Sequence, residues 1–172
     1  MHMEIRKSLQ ADEADIADIT REAFELAFGS SPEVGLLEQL RATETGMLEL
    51  VTEHEGRVVG HIAATKARQS PVGPQRFYCL GPMAVRPDMQ HQGIGQSLVT
   101  KLLDELWELG VTAVVLIGHP GFYAKCGFEE AGRRGFTTDF EAPSEAFMVA
   151  TNPDLSAIDP IRITYAKPFY EL

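Results

Sequence analysis

Two glycines at the start of a long segment with an apolar stripe are the residues of this sequence best suited to chemistry. Gly93 and Gly95 follow a strand-like stretch at 77–85 and a proline-marked loop, and they precede the periodic apolar residues of a helix. We expect these glycines to let backbone approach a ligand closely and to adopt dihedrals closed to other residues, while the first turn of the helix presents unpaired N–H groups and the positive end of its dipole. This arrangement is typical of an anion site, and a pyrophosphate is the group we expect there.

Two other phosphate-binding motifs fit this stretch less well. A Rossmann fingerprint needs a third glycine where Leu98 stands, and its loop follows the strand directly, whereas residues 86–89 intervene here. A P-loop needs a Gly-Lys-Ser/Thr sequence, which does not follow these glycines. Glycines can also serve turns and helix packing alone, but the preceding strand and the helix that begins here favour the anion site.

Composition restricts the functions that the chain can have. Its 172 residues, 44% hydrophobic and 23% charged, indicate one globular domain, which we expect over residues 3–172. A formal net charge of -10 disfavours nucleic-acid binding, because contacts to phosphates require a basic surface. An anionic ligand would therefore be held by local amides rather than by the overall charge.

The cysteine and hydropathy patterns indicate a cytoplasmic protein. Cys79 and Cys126 lie in apolar contexts without metal-ligand spacing, which predicts free buried thiols, no metal site and a reducing compartment. No uninterrupted apolar run reaches the ~18 residues of a membrane helix, and the first residues lack a signal-peptide pattern. We therefore expect neither export nor a membrane partner.

The first half of the chain reads as strands and helices that could position the glycines. Asp12 and Ser31 are the predicted N-caps of two helices, one from residue 14 and one from residue 32. Gly60 indicates a bulge or a close approach of backbone, and the Gly81-Pro82 pair predicts a strand that is bulged or splayed from its neighbour. The predicted strands are 4–9, 48–52, 57–65 and 77–85.

The second half predicts a parallel crossover. The helix that follows Gly93 carries a leucine-rich face and stops at Gly110, and the valine-rich run at 111–117 is typical of a strand buried on both faces. Strand, helix and strand in this order imply a parallel pair. A short helix at 121–126 and two strands at 147–151 and 161–166 complete the prediction.

Two motifs together resemble a known family. Gln90-x-x-Gly93-x-Gly95 lies between a strand and a long helix, and Tyr123-x-x-x-Gly127-Phe128 follows about 30 residues later, after a buried strand. This order and spacing across residues 77–128 resembles the GNAT superfamily of acetyl-CoA-dependent N-acyltransferases, and most closely its small bacterial predicted acetyltransferases. The resemblance implies an α/β fold with a mixed, splayed central sheet and helices on both faces, with C-terminal strands over residues 146–172.

The resemblance also implies a site and a reaction. An acetyl group would move from acetyl-CoA directly to an amine in a ternary complex, and Tyr123 would protonate the departing thiolate or donate a hydrogen bond to it. The cofactor's pantetheine arm would pair with the backbone of Met83 and Val85 in the predicted strand. Its pyrophosphate would lie on the backbone amides of Gln90 through Gly95. The implied cofactor-binding residues are Met83, Ala84, Val85, Gln90, His91, Gln92, Gly93, Ile94, Gly95, Gln96 and Ser97.

Several questions remain open on the sequence. The acceptor is expected to be a small-molecule or peptide amine, and a homodimer is compatible with the resemblance. The candidates for a general base are Glu22, Glu25, Glu33 or a bound water. His119 and Cys126 fit a loop and a helix-packing role better than catalysis. The main alternative function is a catalytically idle acyl-CoA-binding module that senses the cofactor or regulates a partner.

Overall fold

A nine-stranded mixed sheet forms the centre of the computed structural model, which describes residues 2–154 and 159–172. Neighbouring strands follow the order β1-β2-β3-β4-β5-β8-β6, and β9 pairs with both β3 and β7. The β4–β5 and β7–β9 pairs are parallel. The strands are β1 Met3–Lys7, β2 Leu48–His54, β3 Arg57–Ser70, β4 Phe77–Val85, β5 Ala113–Ile117, β6 Glu129–Glu130, β7 Phe136–Thr138, β8 Phe147–Thr151 and β9 Ile161–Thr164.

Helices cover both faces of this sheet. They are α1 Glu13–Phe28, α2 Glu33–Thr43, α3 Ile94–Glu108 and the short α4 Pro120–Tyr123. Leu50 and Ile62 pack against the apolar stripe of α3, whereas Val51 and Ala63 pack against α1 and α2. Successive side chains of a strand point to opposite faces, so the alternation in β2 and β3 supplies two cores. The predicted mixed sheet with helices on both faces is confirmed.

The sheet opens between β4 and β5, as the resemblance implied. These strands pair from Phe77 with Ala113 to Cys79 with Val115, and the rest of β4 pairs with β3 alone. In the β3–β4 register, Ile62 lies opposite Met83 and Ala64 opposite Leu80, so Gly81 and Pro82 form a bulge opposite a single residue. The bulge bends β4 away from β5. Beyond Cys79, one edge of β4 therefore faces a gap in the sheet.

The predicted N-cap of α2 is wrong, whereas Asp12 does occupy the N-cap position of α1 but makes no side-chain hydrogen bond to that helix. The carboxylate of Asp12 accepts hydrogen bonds from the Arg6 guanidinium at 2.8 Å and from the Leu9 N–H at 2.7 Å rather than from α1. Pro32 occupies the N-cap position of α2, and the Ser31 hydroxyl donates to Glu25 at 3.2 Å. The Arg6 guanidinium of β1 binds the Asp12 carboxylate, and the Glu25 carboxylate binds the Ser31 hydroxyl. Helical periodicity in the sequence indicates neither contact.

Some boundaries also differ from the prediction. β3 extends to Ser70 instead of residue 65, because Arg68–Ser70 pairs with β9, a partner distant in sequence. The short strands β6 and β7 were not predicted, and β9 ends at Thr164 rather than at residue 166. At Gly60 both expected features occur, since the register of β2 and β3 shifts beside it and a Cβ would lie 2.9 Å from Ile94 Cγ2.

A buried charge network joins α2 to the sheet. His61 Nε2 lies 2.8 Å from Glu49 Oε1, and the Arg41 Nη2 donates to the same oxygen at 2.8 Å. Burial lowers the pKa of His61 more than its carboxylate partner raises it. Burial alone would raise the pKa of Glu49, but the hydrogen bonds from His61 and Arg41 bring that pKa down to about 2. The network thus combines a neutral imidazole with a strongly held carboxylate.

We expect this network to make the protein sensitive to acid. Because the pKa of His61 is lowered in the fold, stability is lost as pH falls below about 6.5, where the unfolded chain takes up a proton. The lowered pKa of Glu49 adds a second loss of stability as pH falls from the unfolded pKa of this group to about 2.

Glu49→Gln should lower the free energy of unfolding by about 3 kcal/mol at neutral pH, because it leaves the Arg41 charge unpaired. Urea unfolding at several pH values measures both effects. The exposed Glu108→Gln is the matched control, and equal stability of the two variants would contradict the expectation.

Candidate functional site

A cleft of about 590 Å³ lies beside the unpaired end of β4. It is bounded by that strand, by the loop that follows it, by the first turn of α3, by the second half of α1 and by Phe122 of α4. Among the predicted cofactor-binding residues, Gln92 and Ser97 are outside the lining. Those that line the cleft are Met83, Ala84, Val85, Gln90, His91, Gly93, Ile94, Gly95 and Gln96. The structure thus assembles most of the predicted set around one space.

The free edge of β4 presents backbone groups to the gap in the sheet. The Arg86 N–H donates to Val59 O on β3 at 2.9 Å. Successive residues of a strand direct their N–H and C=O groups to opposite sides, so Ala84 also faces β3, while Met83 and Val85 face away from it. The backbone of Met83 and the N–H of Val85 are therefore available to an extended ligand that adds to the edge as a strand would, whereas Val85 O already accepts a hydrogen bond from the Gln90 side chain.

The first turn of α3 supplies unpaired amides next to this edge. The Ser97 N–H donates to Gly93 O at 3.0 Å, and the amides before it have no intrahelical acceptor. Gly93 has a φ of 82°, a conformation that favours glycine. Gly95 is helical, so the expectation that it needs unusual dihedrals is wrong. Its role is spatial, because a Cβ there would lie 3.3 Å from Phe122 Cζ and 3.5 Å from Met83 Cε.

The Gln90 side chain has a contact that the sequence did not indicate. Its Nε2 donates to Val85 O at 3.1 Å, which ties the loop to the free edge of β4. The residue after it, His91, adopts a φ of 62° and is exposed. The loop therefore turns sharply between the strand and the helix while Gln90 holds it in place.

Seven residues of the cleft lining were not in the predicted set, and Phe24, Phe28 and Lys125 are three of them. Phe24 and Phe28 of α1 stack with ring centroids 5.9 Å apart and form an apolar wall, and Phe28 is 75% exposed. Lys125 also lines the cleft. An exposed phenylalanine within a helix is not distinguishable from a core residue by periodicity, but a lysine inside the Tyr123–Gly127 motif was a usable signal.

Tyr123 packs next to the cleft rather than on its lining. Its ring centroid lies 4.9 Å from that of Phe122, which does line the cleft, and 5.8 Å from that of Phe128. A Cβ on Gly118 would lie 2.6 Å from Tyr123 Cε2, so the absence of a side chain there makes room for the ring. Burial raises the pKa of Tyr123 to about 12. The phenol is therefore protonated at neutral pH and can act as a donor.

The other reactive side chains have structural environments. The Cys126 thiol lies 3.8 Å from Phe122 O, and burial raises its pKa. Cys79 is fully buried, and burial raises its pKa well above the ordinary value. Both cysteines are free thiols. His119 is exposed and its carbonyl accepts the Tyr123 N–H at 3.2 Å, so its backbone starts α4. These positions agree with packing and loop roles.

A comparison with protein families identifies the fold and the class of enzyme. The model of the Acetyltransferase (GNAT) family matches residues 14–128. The chain belongs to the GNAT family of acetyltransferases. The match contains the free edge of β4, the first turn of α3 and the Tyr123 motif. The chain is therefore an acyltransferase.

Relatives of this GNAT acetyltransferase resemble it over most of their length. The uncharacterized N-acetyltransferase YjhQ of Escherichia coli K12 is 34% identical over 138 residues, which are 78% of this chain and 76% of YjhQ. The crystal structure of YhbS from Escherichia coli in complex with CoA has a TM-score of 0.88 at 29% identity and covers 99% of this chain and 93% of YhbS. A GNAT acetyltransferase from Brucella melitensis in complex with acetyl-CoA has a TM-score of 0.75 at 32% identity, with 98% of both chains covered.

No helix in residues 2–154 and 159–172 of this acetyltransferase is long and apolar enough to span a membrane. The longest helix, α1, has 16 residues and carries exposed charges such as Glu13 and Arg21. Its buried face packs on the sheet through Ile16 and Ile19.

Proposed function

We propose that this chain is a single N-acetyltransferase domain, over residues 3–172, that moves an acetyl group from acetyl-CoA directly to an amine in a ternary complex. One observation carries the proposal: the cleft joins a free strand edge to the unpaired amides of a helix start. Acetyl-CoA is the acetyl donor. Two structural neighbours of this chain, YhbS and the Brucella melitensis enzyme, were crystallised with CoA and acetyl-CoA respectively.

The residues of the cleft fit the two chemically different parts of such a cofactor. An extended arm with amide groups can pair with the backbone of Met83 and the N–H of Val85. A pyrophosphate can accept hydrogen bonds from the amides of Gly93 to Gln96, where the helix dipole also favours negative charge. The absence of a side chain on Gly95 keeps the passage between Phe122 and Met83 open. These residues form the cofactor-binding core within 77–128.

Direct transfer agrees with the environments of the possible nucleophiles. The cofactor supplies an acetyl thioester, whose carbonyl carbon an amine can attack without a covalent enzyme intermediate. Cys79 has no exposed surface and a strongly raised pKa, and Cys126 contacts a carbonyl of its own helix. Burial raises the pKa of both thiols, and for Cys126 it outweighs the opposing effect of the Lys125 charge, so neither is held as a thiolate. Tyr123 is left as the donor that can stabilise the departing thiolate.

The acceptor is an amine on a small molecule or a peptide. The net charge of -10 would raise the local concentration of a cationic amine by long-range attraction. The two free cysteines agree with a cytoplasmic protein, because that compartment keeps thiols reduced. The relatives named as N-acetyltransferases favour an enzyme over a catalytically idle acyl-CoA-binding module.

Two measurements test this function. Thermal-shift titration with acetyl-CoA and with CoA should raise the unfolding temperature, because a ligand that binds only the folded state stabilises it. Release of free thiol from acetyl-CoA should then depend on an added amine from a panel of small amines and peptides. Binding of both ligands without amine-dependent thiol release would favour the idle module. Absence of any thermal shift would contradict the cofactor site itself.

Lys125 should contribute to cofactor affinity through its charge. It is a cation in the lining of a cleft that we assign to a polyanion. Lys125→Gln should weaken acetyl-CoA binding by about 2- to 5-fold, the size typical of an exposed ion pair, and the difference should shrink as salt is added. Isothermal titration at two ionic strengths measures this. Lys167→Gln, which removes an exposed charge outside the cleft lining, is the control, and the same loss in both variants would contradict the expectation.

A further inference from the structure

Glu33 has a carboxylate oxygen that the fold buries without satisfying it. It begins α2, and Leu36, Leu37 and Leu40 follow it on the buried stripe of that helix at the spacings that place residues on one face. Its Oε2 is buried and has no hydrogen-bond partner in residues 2–154 and 159–172. Such a carboxylate costs stability, so its presence on the buried face needs another reason.

The buried stripe of α2 leads to the point where the sheet opens. Leu36 shares a packed cluster with Cys79 and Val115, which form the last pair between β4 and β5. Phe28, at the end of α1, lines the cleft, and Glu33 follows it after a short turn. Glu33 therefore lies one helical turn before a residue that packs at the fork of the sheet, on the α2 side and outside the lining of the cleft.

The same region contains two other polar atoms without partners. Thr65 lies opposite Cys79 in the β3–β4 register, and Tyr165 shares the cluster of Leu36 and Cys79. Thr65 Oγ1 and Tyr165 Oη are buried, and neither has a hydrogen-bond partner within the described residues. Thr65 is 0% and Tyr165 3% exposed. With Glu33, this part of the fold contains three buried polar atoms that have no partner in residues 2–154 and 159–172.

We propose that Glu33 is the general base of the acetyl transfer and accepts a proton from the acceptor ammonium at the fork of the sheet. This inference rests on the proposed function and adds the residue on the acceptor side. The cofactor residues approach the fork along β4 and α3, and Glu33 approaches it from α2. The acceptor is a primary amine that is a cation in solution, whose ammonium can donate to the free Oε2.

The proton balance shows why a base is needed. A lysine-like amine with a pKa near 10.4 is neutral in only about one molecule in a thousand at physiological pH. One proton passes from the ammonium to Glu33, the nitrogen bonds to the acetyl carbon, and the carbon–sulfur bond breaks. The nitrogen loses a second proton as the amide forms, and the thiolate takes one up, so one proton is released overall. Burial raises the pKa of Glu33, which strengthens it as a base.

The structure separates Glu33 from the two other candidate carboxylates. Glu22 and Glu25 are exposed on α1, and Glu25 accepts the Ser31 hydroxyl at 3.2 Å. Neither has a buried oxygen without a partner among the described residues. Glu22→Gln is therefore a matched control for Glu33→Gln, because both variants remove one carboxylate charge from the same side of the fold.

The transfer experiment compares these two variants of the full chain. The probes are Nα-acetyllysine amide, which offers a side-chain amine, and glycinamide, which offers an α-amine. Glu33→Gln should lower kcat/KM for the lysine amine by about 100-fold or more, and less for the α-amine, whose pKa near 8 leaves more of it neutral. The acid limb of the pH profile should disappear, while the thermal shift with acetyl-CoA stays unchanged. Glu33→Asp, which keeps the charge but withdraws it, should retain part of the activity.

A second readout does not depend on the acceptor. Because the pKa of Glu33 is raised in the fold, the protonated group contributes stability that is fully present below its unfolded pKa and is lost as pH rises through its folded pKa. Glu33→Gln should therefore unfold at a higher temperature than the wild type at pH 7, and the difference should vanish in acid. A lower unfolding temperature at pH 7 would mean a structural partner and would overturn the proposal.

The outcomes separate this inference from the proposed function. Equal transfer by Glu33→Gln and Glu22→Gln, with an active wild type, overturns Glu33 as the base and leaves the function intact. A wild type that binds acetyl-CoA but acetylates no amine contradicts the function and the inference together. Selective loss on the lysine amine, with restored activity in Glu33→Asp, supports the proposal.

Discussion

Replacing Tyr123 with phenylalanine is expected to lower turnover by about 10- to 1,000-fold, the range for loss of a proton or hydrogen-bond donor. The affinity for acetyl-CoA should stay nearly unchanged, because the ring keeps its contacts with Phe122 and Phe128. Steady-state kinetics together with titration of the cofactor separates the two quantities. Tyr78→Phe is the control, since the Tyr78 hydroxyl donates to Gly46 O outside the cleft lining.

The raised pKa of Tyr123 defines how it can act. A phenol with a pKa of about 12 and a thiol with a pKa near 8.5 differ enough that full proton transfer to the thiolate is uphill by about 5 kcal/mol. We therefore expect a hydrogen bond to the departing sulfur rather than complete protonation. Turnover should not fall between pH 8 and 10 through ionisation of Tyr123. Unchanged turnover in Tyr123→Phe would remove the residue from the mechanism and leave it a packing role.

Replacing Gly93 with aspartate is expected to weaken acetyl-CoA binding by about 100-fold. Repulsion between unit charges 4 Å apart is about 1 kcal/mol in water and about 4 kcal/mol at an effective dielectric constant of 20, and the helix start adds no compensating cation. No atom within 4 Å blocks a Cβ at this position, so the loss should come from the charge. Isothermal titration at low and high salt measures it.

Gly93→Asn is the matched control for this prediction. Asparagine and aspartate have the same shape and both tolerate the left-handed conformation at a φ of 82°, so both variants should lose a similar amount of stability. A difference in cofactor affinity then reports the charge alone. If both variants bind acetyl-CoA as the wild type does, the first turn of α3 is not the pyrophosphate site.

Sequence patterns predicted the strands and the helix that border the cleft, because the formation of each depends mainly on residues close together in the sequence. Gly81 and Pro82 predicted a bulge, and the structure has one, since proline cannot donate to a strand ladder wherever the strand lies. The valine-rich β5 and the striped α3 were likewise readable from periodicity. Gly93 was expected at a position that only glycine favours, and its positive φ confirms this.

The predictions were wrong where a side chain or a strand interacts with a residue of another helix or strand. The Asp12 side chain pairs with Arg6 of β1 instead of bonding to α1, and β3 continues to Ser70 because β9 supplies a partner. Gly95 was expected to need unusual dihedrals. Glycine fits there instead because the side chain of Phe122, from another helix, occupies the space next to it. None of these partners is visible within a window of one helix or strand.

The sequence by itself determined most of the order of strands and helices, the glycine-marked start of α3 and the resemblance that the family comparison confirmed. These properties depend on spacing along the chain, which periodicity and glycine positions record directly. Tertiary structure decided that Glu33 has a buried carboxylate oxygen without a partner among the described residues, that Tyr123 is buried beside Phe122, and that Phe24, Phe28 and Lys125 line the cleft. Burial and desolvation arise only when distant elements pack together, so the roles that depend on them appear only in the folded chain.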